Sequence, residues 1–397
     1  MMLRNIIAFI VMLCIIILAA THAISIPQFP ARHGHECTAC HEDPDDSLWE
    51  IPPWYARKCS LNCAVCHVNP TGGGMRTAVG NYFASYRIPV FTLEEGKTEP
   101  LFKEFKEEMR LSKFIKFGGD LRFAYIYSEQ ESNSRFKSAF FPMQADIYVN
   151  FAPSDHLLFN YMQGLQGNKE VFGLVHDLYP ANIYFKFGKF IPPYGLKIDD
   201  HTAFIREKLG LGLNSADSAD SGVETGFSTF LYFLNMAIFN GSGNSLADDN
   251  RAKAFSGTGG IRARYASIGL SYYNNDSLNT RKVYYGAYST LHYWRFTWLG
   301  EYDLIDITTD KSIGNETKGK VFYGELDYSL YKGIFLKVKY DFYDPDRTVN
   351  EDHIDRISYG IDLYPYPNTE ISLLQRTNRE TPEINNDQIL LLIHLFF

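Results

Sequence analysis

The chain has 397 residues, long enough for more than one domain, and a formal net charge of −8. That acidic balance excludes nucleic acid as the expected partner, because phosphate binding needs clustered Lys and Arg. Its 27 Tyr and 30 Phe, in a mildly polar whole, suit a membrane β-barrel better than a helical membrane protein, since barrel strands alternate apolar and polar residues and make no long hydrophobic run.

Residues 1–23 hold the one long apolar run. Arg4 supplies a positive start, Ile6 to Ala20 the apolar middle and Thr21-His22-Ala23 a small-residue cleavage site, the layout of a Sec-type signal peptide. A retained anchor is the alternative, but a spanning helix wants about 20 apolar residues and this run is shorter. Cys14 lies inside the run with no small residue before it, which argues against lipid attachment.

Residues 24–92 carry two copies of one motif, Cys37-Thr-Ala-Cys40-His41 and Cys63-Ala-Val-Cys66-His67. Two thiols at this spacing each form a thioether to one vinyl group of a haem, and the following His is held under the iron as proximal ligand. The expected cofactors are therefore two covalent haem c groups, attached at Cys37, Cys40, Cys63 and Cys66, with His41 and His67 on the irons. The remaining mature cysteine, Cys59, fits neither motif and reads as a free thiol or a contact beside the second haem. Candidates for the far side of each iron are His33, His35 and Met75. His35 is so near Cys37 that it, or His33, is better placed for the neighbouring haem; either can equally be a solvated loop residue, and Met75 can simply pack against a haem face. Gly72-Gly73-Gly74 permits backbone conformations closed to other residues and close approach to a flat macrocycle, or forms an ordinary flexible loop. A segment this small has little apolar surface of its own, and buried haems would supply the missing core.

Residues 93–113 read as a short connector helix, with Leu101, Phe102, Phe105, Met109 and Leu111 on one face, packing against either the haem segment or the barrel mouth. From residue 114 to 397 the period is two. Alternating runs predict sixteen strands, near 114–128, 140–152, 155–166, 170–178, 181–190, 221–231, 232–240, 253–265, 266–275, 281–290, 292–306, 319–330, 332–343, 353–364, 367–378 and 386–397. Tight turns at Pro153-Ser154-Asp155, Tyr179-Pro180-Ala181, Tyr331-Lys332-Gly333 and Pro365-Tyr366-Pro367 alternate with longer polar loops, the asymmetry of a transmembrane antiparallel barrel. Phe117, Leu121, Phe123 and Tyr125 are expected to face lipid and Asp120 and Arg122 the lumen. In the same way Ile334, Leu336, Val338 and Tyr340 oppose Lys337, Lys339 and Asp341. Further lumen charges at Asp146, Lys186, Arg262, Arg264, Glu325, Asp327 and Arg356 carry both signs, which suits a packed interior at least as well as an open pore.

The last strand, with Ile389, Leu391, Ile393, Leu395 and Phe397 alternating, resembles the C-terminal signature of bacterial outer-membrane barrels. Residues 188–196 resemble a stretch of phosphate-selective and related porins, in which the third outer loop folds inward; here that loop is the longest connection, 191–220. Signal peptide, CxxCH segment and barrel together resemble the fused cytochrome-porins of the outer membrane, whose best-known members are the monohaem iron-oxidase type. This chain departs by carrying two haem motifs. The resemblance implies an electron conduit across the outer membrane between a periplasmic c-type cytochrome and an extracellular donor or acceptor, such as Fe(II), a mineral or another cytochrome. Metal oxidase or reductase activity stays open, as do a solute porin with an appended cytochrome and a haem enzyme with an open axial site.

Overall fold

The computed structural model describes residues 63–77, 80–81, 83–91, 114–128 and 138–397, the last range without 166, 213–217, 230, 244–247, 249, 264, 310, 312–313 and 381–385. The signal peptide, His33, His35, the first motif with Cys37, Cys40 and His41, Cys59, the connector helix and Arg264 lie outside the described residues.

Sixteen strands close into an antiparallel barrel. They are β1 (Ile115–Ser128), β2 (Ser138–Ser154), β3 (Leu157–Gly164), β4 (Gly167–Leu178), β5 (Ile183–Phe190), β6 (Asp220–Ser228), β7 (Tyr232–Phe239) and β8 (Ala254–Arg262). The second half is β9 (Ala266–Asp276), β10 (Thr280–Tyr293), β11 (Phe296–Thr309), β12 (Asn315–Tyr331), β13 (Ile334–Asp344), β14 (Ile354–Leu363), β15 (Thr369–Glu380) and β16 (Gln388–Phe396). Each strand pairs with its sequence neighbours and β16 closes on β1, Asp120 opposite Phe396 and Tyr127 opposite Ile389. The closing seam ends on the last residue, where Phe397 N donates to Gly119 O at 3.0 Å and Gly119 N to Phe397 O at 3.1 Å. All sixteen expected strands are present, displaced at their ends by a few residues.

Alternation in sequence becomes inside and outside. On β13, Leu336, Val338 and Tyr340 are exposed outward while Lys337, Lys339 and Asp341 are buried in the lumen. On β1, Phe123 and Tyr127 face out and Asp120 and Arg122 face in. An exterior this rich in exposed Phe, Tyr, Leu, Ile and Val is the surface that hydrocarbon covers, and closure leaves no strand edge to satisfy there. Tyr179, Tyr293, Trp294, Tyr331 and Tyr366 all sit exposed at turns on one rim, between β4 and β5, β10 and β11, β12 and β13, and β14 and β15. Aromatic rings gather where hydrocarbon gives way to water, so this rim marks one membrane interface.

Paired charges and inward-folded chain occupy much of the lumen among the described residues. Buried pairs include Lys186–Glu224 at 2.7 Å, Lys169–Asp146 at 2.8 Å, Lys337–Asp362 at 2.6 Å and Arg356–Asp341 at 3.0 Å. Between them lies an apolar cluster in which Tyr148, Phe172, Tyr184 and Tyr323 from the wall meet Tyr194, Leu196, Phe204 and Leu209 from the β5–β6 connection. That connection folds inward, as the resemblance to porins of this kind implied. It carries the single turn of helix α1 (Phe204–Glu207), whose Phe204 N donates to Asp341 Oδ1 of β13 at 2.9 Å.

Candidate functional site

The second CxxCH motif lies inside the barrel. Cys63–Val65 forms one turn of 3-10 helix, with Cys66 N and His67 N both donating to Cys63 O at 3.1 and 2.8 Å. The chain then doubles back in a small hairpin held by Val68 N to Met75 O and Thr77 N to Cys66 O, each 2.9 Å. Its tip is the glycine run, with φ of 90°, 79° and 64° at Gly72, Gly73 and Gly74. Three successive left-handed residues are accessible only to glycine, so the run is a turn specification. It also brings backbone against the motif: a Cβ at Gly72 would stand 3.3 Å from the Sγ of Cys63.

The wall holds this hairpin through polar and apolar contacts. Asn69 Nδ2 donates to both carboxylate oxygens of Glu170 on β4 at 3.3 and 3.4 Å, while its Oδ1 accepts from Lys186 Nζ on β5 at 3.2 Å. Lys197 of the inward loop donates to Thr71 Oγ1 and Gly72 O, both at 3.2 Å. Arg76 pairs with Asp120 at 3.1 Å and lies 4.0 Å over the Phe396 ring. Val68 and Met75 join the buried cluster with Tyr148 and Met162. Farther on, Phe83 and Ile88 pack with Phe335 and Tyr364, and Val90 N and Phe91 N donate to Tyr364 O and Pro365 O at 2.8 and 3.1 Å. The segment therefore runs from within the lumen to the aromatic-bearing rim.

Cys63, Cys66 and His67 line one wall of a cavity with about 1990 Å³ of non-atom space, part of it open to solvent. The facing walls are the inward loop, through Lys197, Asp199, Asp200 and His201, and the barrel, through Arg122, Glu370, Arg376 and His394. Ion pairs organise it. His394 Nε2 lies 2.8 Å from Asp120 and its Nδ1 3.1 Å from Glu370, while Arg122 Nη2 reaches Asp199 at 2.5 Å. Among the described residues Asp199, Glu370 and His394 stand close enough to share a cation, but the Arg122 guanidinium already occupies that role.

Two imidazoles on this cavity are held neutral. Burial, aided by the Arg76 cation, pushes His67 down to about 4, and burial with Arg122 does the same to His201. A neutral imidazole is the form that ligates a metal. Among the described residues, His67 Nδ1 and His201 Nδ1 are buried without a hydrogen-bond partner. Lys197, lowered to about 8 by burial, makes no ion pair among the described residues.

Of the expected site residues, Cys63, Cys66 and His67 come together on the cavity. Met75 is brought close but packs into the core beside Tyr148 and Met162, with its Cγ over Gly118. Cys37, Cys40, His41, His33 and His35 fall outside the described residues. Sequence reasoning passed over His201, Lys197, Glu170, Glu370 and His394. His394 left a trace, a lone histidine on the inward face of an otherwise apolar last strand. His201 left only a charge-rich stretch, Lys197 to His201, in the longest loop.

No protein-family model matches the sequence, and no curated protein matches it. Solved structures of similar fold include OmpT of Vibrio cholerae, an outer-membrane protein, at TM-score 0.56 and 10% identity over 71% of this chain and 97% of that one. An anion-selective porin from Comamonas acidovorans aligns at TM-score 0.52 and 10% identity, over 71% of this chain and 99% of its own. The outer membrane channel DcaP of Acinetobacter baumannii aligns at TM-score 0.51 and 7% identity, over 71% and 97%. What these comparisons establish is the fold: Ile115–Phe396 is a sixteen-stranded barrel of the outer-membrane porin kind.

Proposed function

We propose that the chain is an electron conduit of the bacterial outer membrane. Two haem c groups would be held at Cys37, Cys40 and His41 and at Cys63, Cys66 and His67, and with them the chain would relay electrons between a periplasmic c-type cytochrome and an extracellular donor or acceptor. The observation that carries this reading is the seating of the second CxxCH motif on a lumen cavity, behind a wall that insulates it from lipid. The residues present fit a haem. Two thiols and an imidazole reach the same space, glycine backbone leaves room at Gly72, and Lys197 offers a cation that pairs with no carboxylate among the described residues, suited to a propionate.

The bound haem supplies one-electron iron chemistry. The chain's own residues do the rest: Cys63 and Cys66 would hold the group covalently and His67 would bind its iron, while the Asn69 and Arg76 contacts hold the hairpin still. A fixed site lowers the reorganisation that electron transfer requires.

A solute porin with an appended cytochrome is the second reading, favoured by the fold it shares with the anion-selective porin. Against it stand the paired lumen charges and the two segments, Cys63–Phe91 and the inward loop, that occupy the bore. Sealed liposomes separate them. A conduit reduces an acceptor outside using a reductant trapped inside and passes few small ions, and Cys63→Ser/Cys66→Ser abolishes the transfer and one haem per chain. Transfer-incompetent vesicles with high ion conductance, or a purified protein without covalent haem, would overturn the conduit.

A further inference from the structure

We propose that the inner wall where β15 and β16 meet β1 is a binding site for an apolar molecule bearing a carboxylate, with Arg376 as the cation that receives it. The site stands on the wall's own residues. It holds whether the molecule is a porphyrin carried by this chain or a free fatty acid.

The strand register assembles the apolar half. Across the closing seam Ala124 lies opposite Leu392 and Ile126 opposite Leu390, and Leu390 in turn lies opposite Leu374 on β15. The residues between them, Phe123, Tyr127, Leu373, Ile389 and Ile393, are exposed outward, so alternation places the patch on the inner face. Ala124, Leu374 and Leu390 form a cluster of their own with Ile126 and with Met143 of β2. Elsewhere the wall packs its rings against the inward loop and the hairpin, but no described residue of either segment belongs to this cluster. Met143, Leu374, Leu390 and Leu392 line the cavity. Glu370, Ser372 and His394, on the same inner face just below, are polar, so the apolar choice is local to the patch. Such a wall gains stability only from an apolar body laid against it.

The charged half lies beside it. Arg376 follows Leu374 by two residues on the same face of β15, about 7 Å along the strand. The neighbouring lumen cations are neutralised: Arg122 by Asp199, Lys337 by Asp362, Lys339 by Asp200 and Arg356 by Asp341. Arg376 is 3% exposed, lines the cavity and makes no ion pair among the described residues. Its Nη2 donates to Thr202 Oγ1 at 2.7 Å, and its Nε is buried without a partner. A guanidinium stays charged when buried, and its planar fork is shaped for a carboxylate. An apolar wall and an uncompensated fork on one cavity together specify an apolar body with an anionic head.

The test uses the full-length protein in non-ionic detergent, with heat-modifiable gel migration as the check on folding. Wild type is extracted with solvent for bound fatty acid, then titrated with oleate and followed by native mass spectrometry; its haems are titrated for midpoint potential against pH. A free ligand predicts about one fatty acid per chain, and oleate affinity that falls about tenfold or more in Arg376→Gln and in Leu374→Asn/Leu390→Asn, with Arg376→Lys recovering part of it. A porphyrin predicts no fatty acid in wild type and two haems per chain. In Arg376→Gln one of those haems should then shift its midpoint potential and lose part of its pH dependence, as a propionate deprived of its cation does. A wild type without haem that binds oleate leaves the site standing and overturns the conduit. A wild type that binds no oleate, with haem potentials unmoved by Arg376→Gln, overturns the site and leaves the conduit.

Discussion

Asn69 joins the motif to the barrel, and its environment makes a quantitative expectation possible. Its amide satisfies Glu170 through Nδ2, and Lys186 and Thr71 through Oδ1, at distances between 3.0 and 3.4 Å. Asn69→Leu keeps the volume and removes both functions. Glu170 then keeps Ile191 N at 3.2 Å and Lys186 keeps Glu224 at 2.7 Å, so each loses one partner rather than all. Leaving buried polar groups short of a partner costs about 1–3 kcal/mol, or a roughly 5–150-fold larger population with the hairpin detached. Limited proteolysis in detergent checks it: cleavage within residues 63–91 should accelerate by such a factor while the barrel remains heat-modifiable, and unchanged cleavage would show that apolar packing of Val68 and Met75 alone holds the hairpin. The motif was legible in the sequence because it is a pattern of five consecutive residues, Cys63 to His67. Asn69 was not, since Glu170 lies 101 positions away and only the closed barrel brings them together. His201 was hidden for the same reason.

At the level of elements, what could be read was what repeats. Strands declare themselves because each face meets a different solvent, so the alternation of Leu336, Val338 and Tyr340 with Lys337, Lys339 and Asp341 is enough to assign the outward and inward faces of β13. Strand ends were less legible: β12 runs to 17 residues and starts at Asn315, beyond the alternation that marks the bilayer zone. The inward fold of the β5–β6 loop was implied by the likeness of residues 188–196 to porins, but its anchors were not. Asp341 is the chief one, accepting from Phe204 N at 2.9 Å and pairing with Arg356, which in turn donates to Thr202 O. Asp341→Leu leaves Arg356 buried without its carboxylate, a change that costs roughly 3–5 kcal/mol. The strands on either side keep their ladders, so the loss should fall on the loop. Single-channel recording in planar bilayers should show a nearly silent wild type and a flickering pore in the variant, with Asp341→Asn, which still offers Phe204 N an acceptor, in between. A variant as silent as wild type would mean that the contacts of Tyr194, Leu196 and Arg206 suffice to hold the loop.

For the whole molecule the issue is whether the barrel depends on its contents. Its hydrogen-bonded framework does not, because every strand pairs with neighbouring strands and the seam is closed by β16 and Phe397. Its interior does. Asp120 takes Arg76 as one of its partners and Glu170 takes Asn69, and the apolar rings of Tyr148, Phe335 and Tyr364 are covered in part by Met75, Phe83 and Ile88. Deleting residues 24–92 while keeping the leader should therefore leave a chain that still inserts and closes, less resistant to heat in detergent. Water would replace the hairpin around Asp120 and Arg122, polar groups that it solvates readily, so the emptied half of the bore should conduct ions. If the proposed conduit holds, electron transfer across liposomes should disappear at the same time, because both CxxCH motifs leave with the segment. The two readouts move in opposite directions, which no general loss of folding produces. Should the truncated barrel stay closed to ions, the inward loop alone forms the barrier, and the Cys63–Phe91 segment occupies a lumen that was sealed without it.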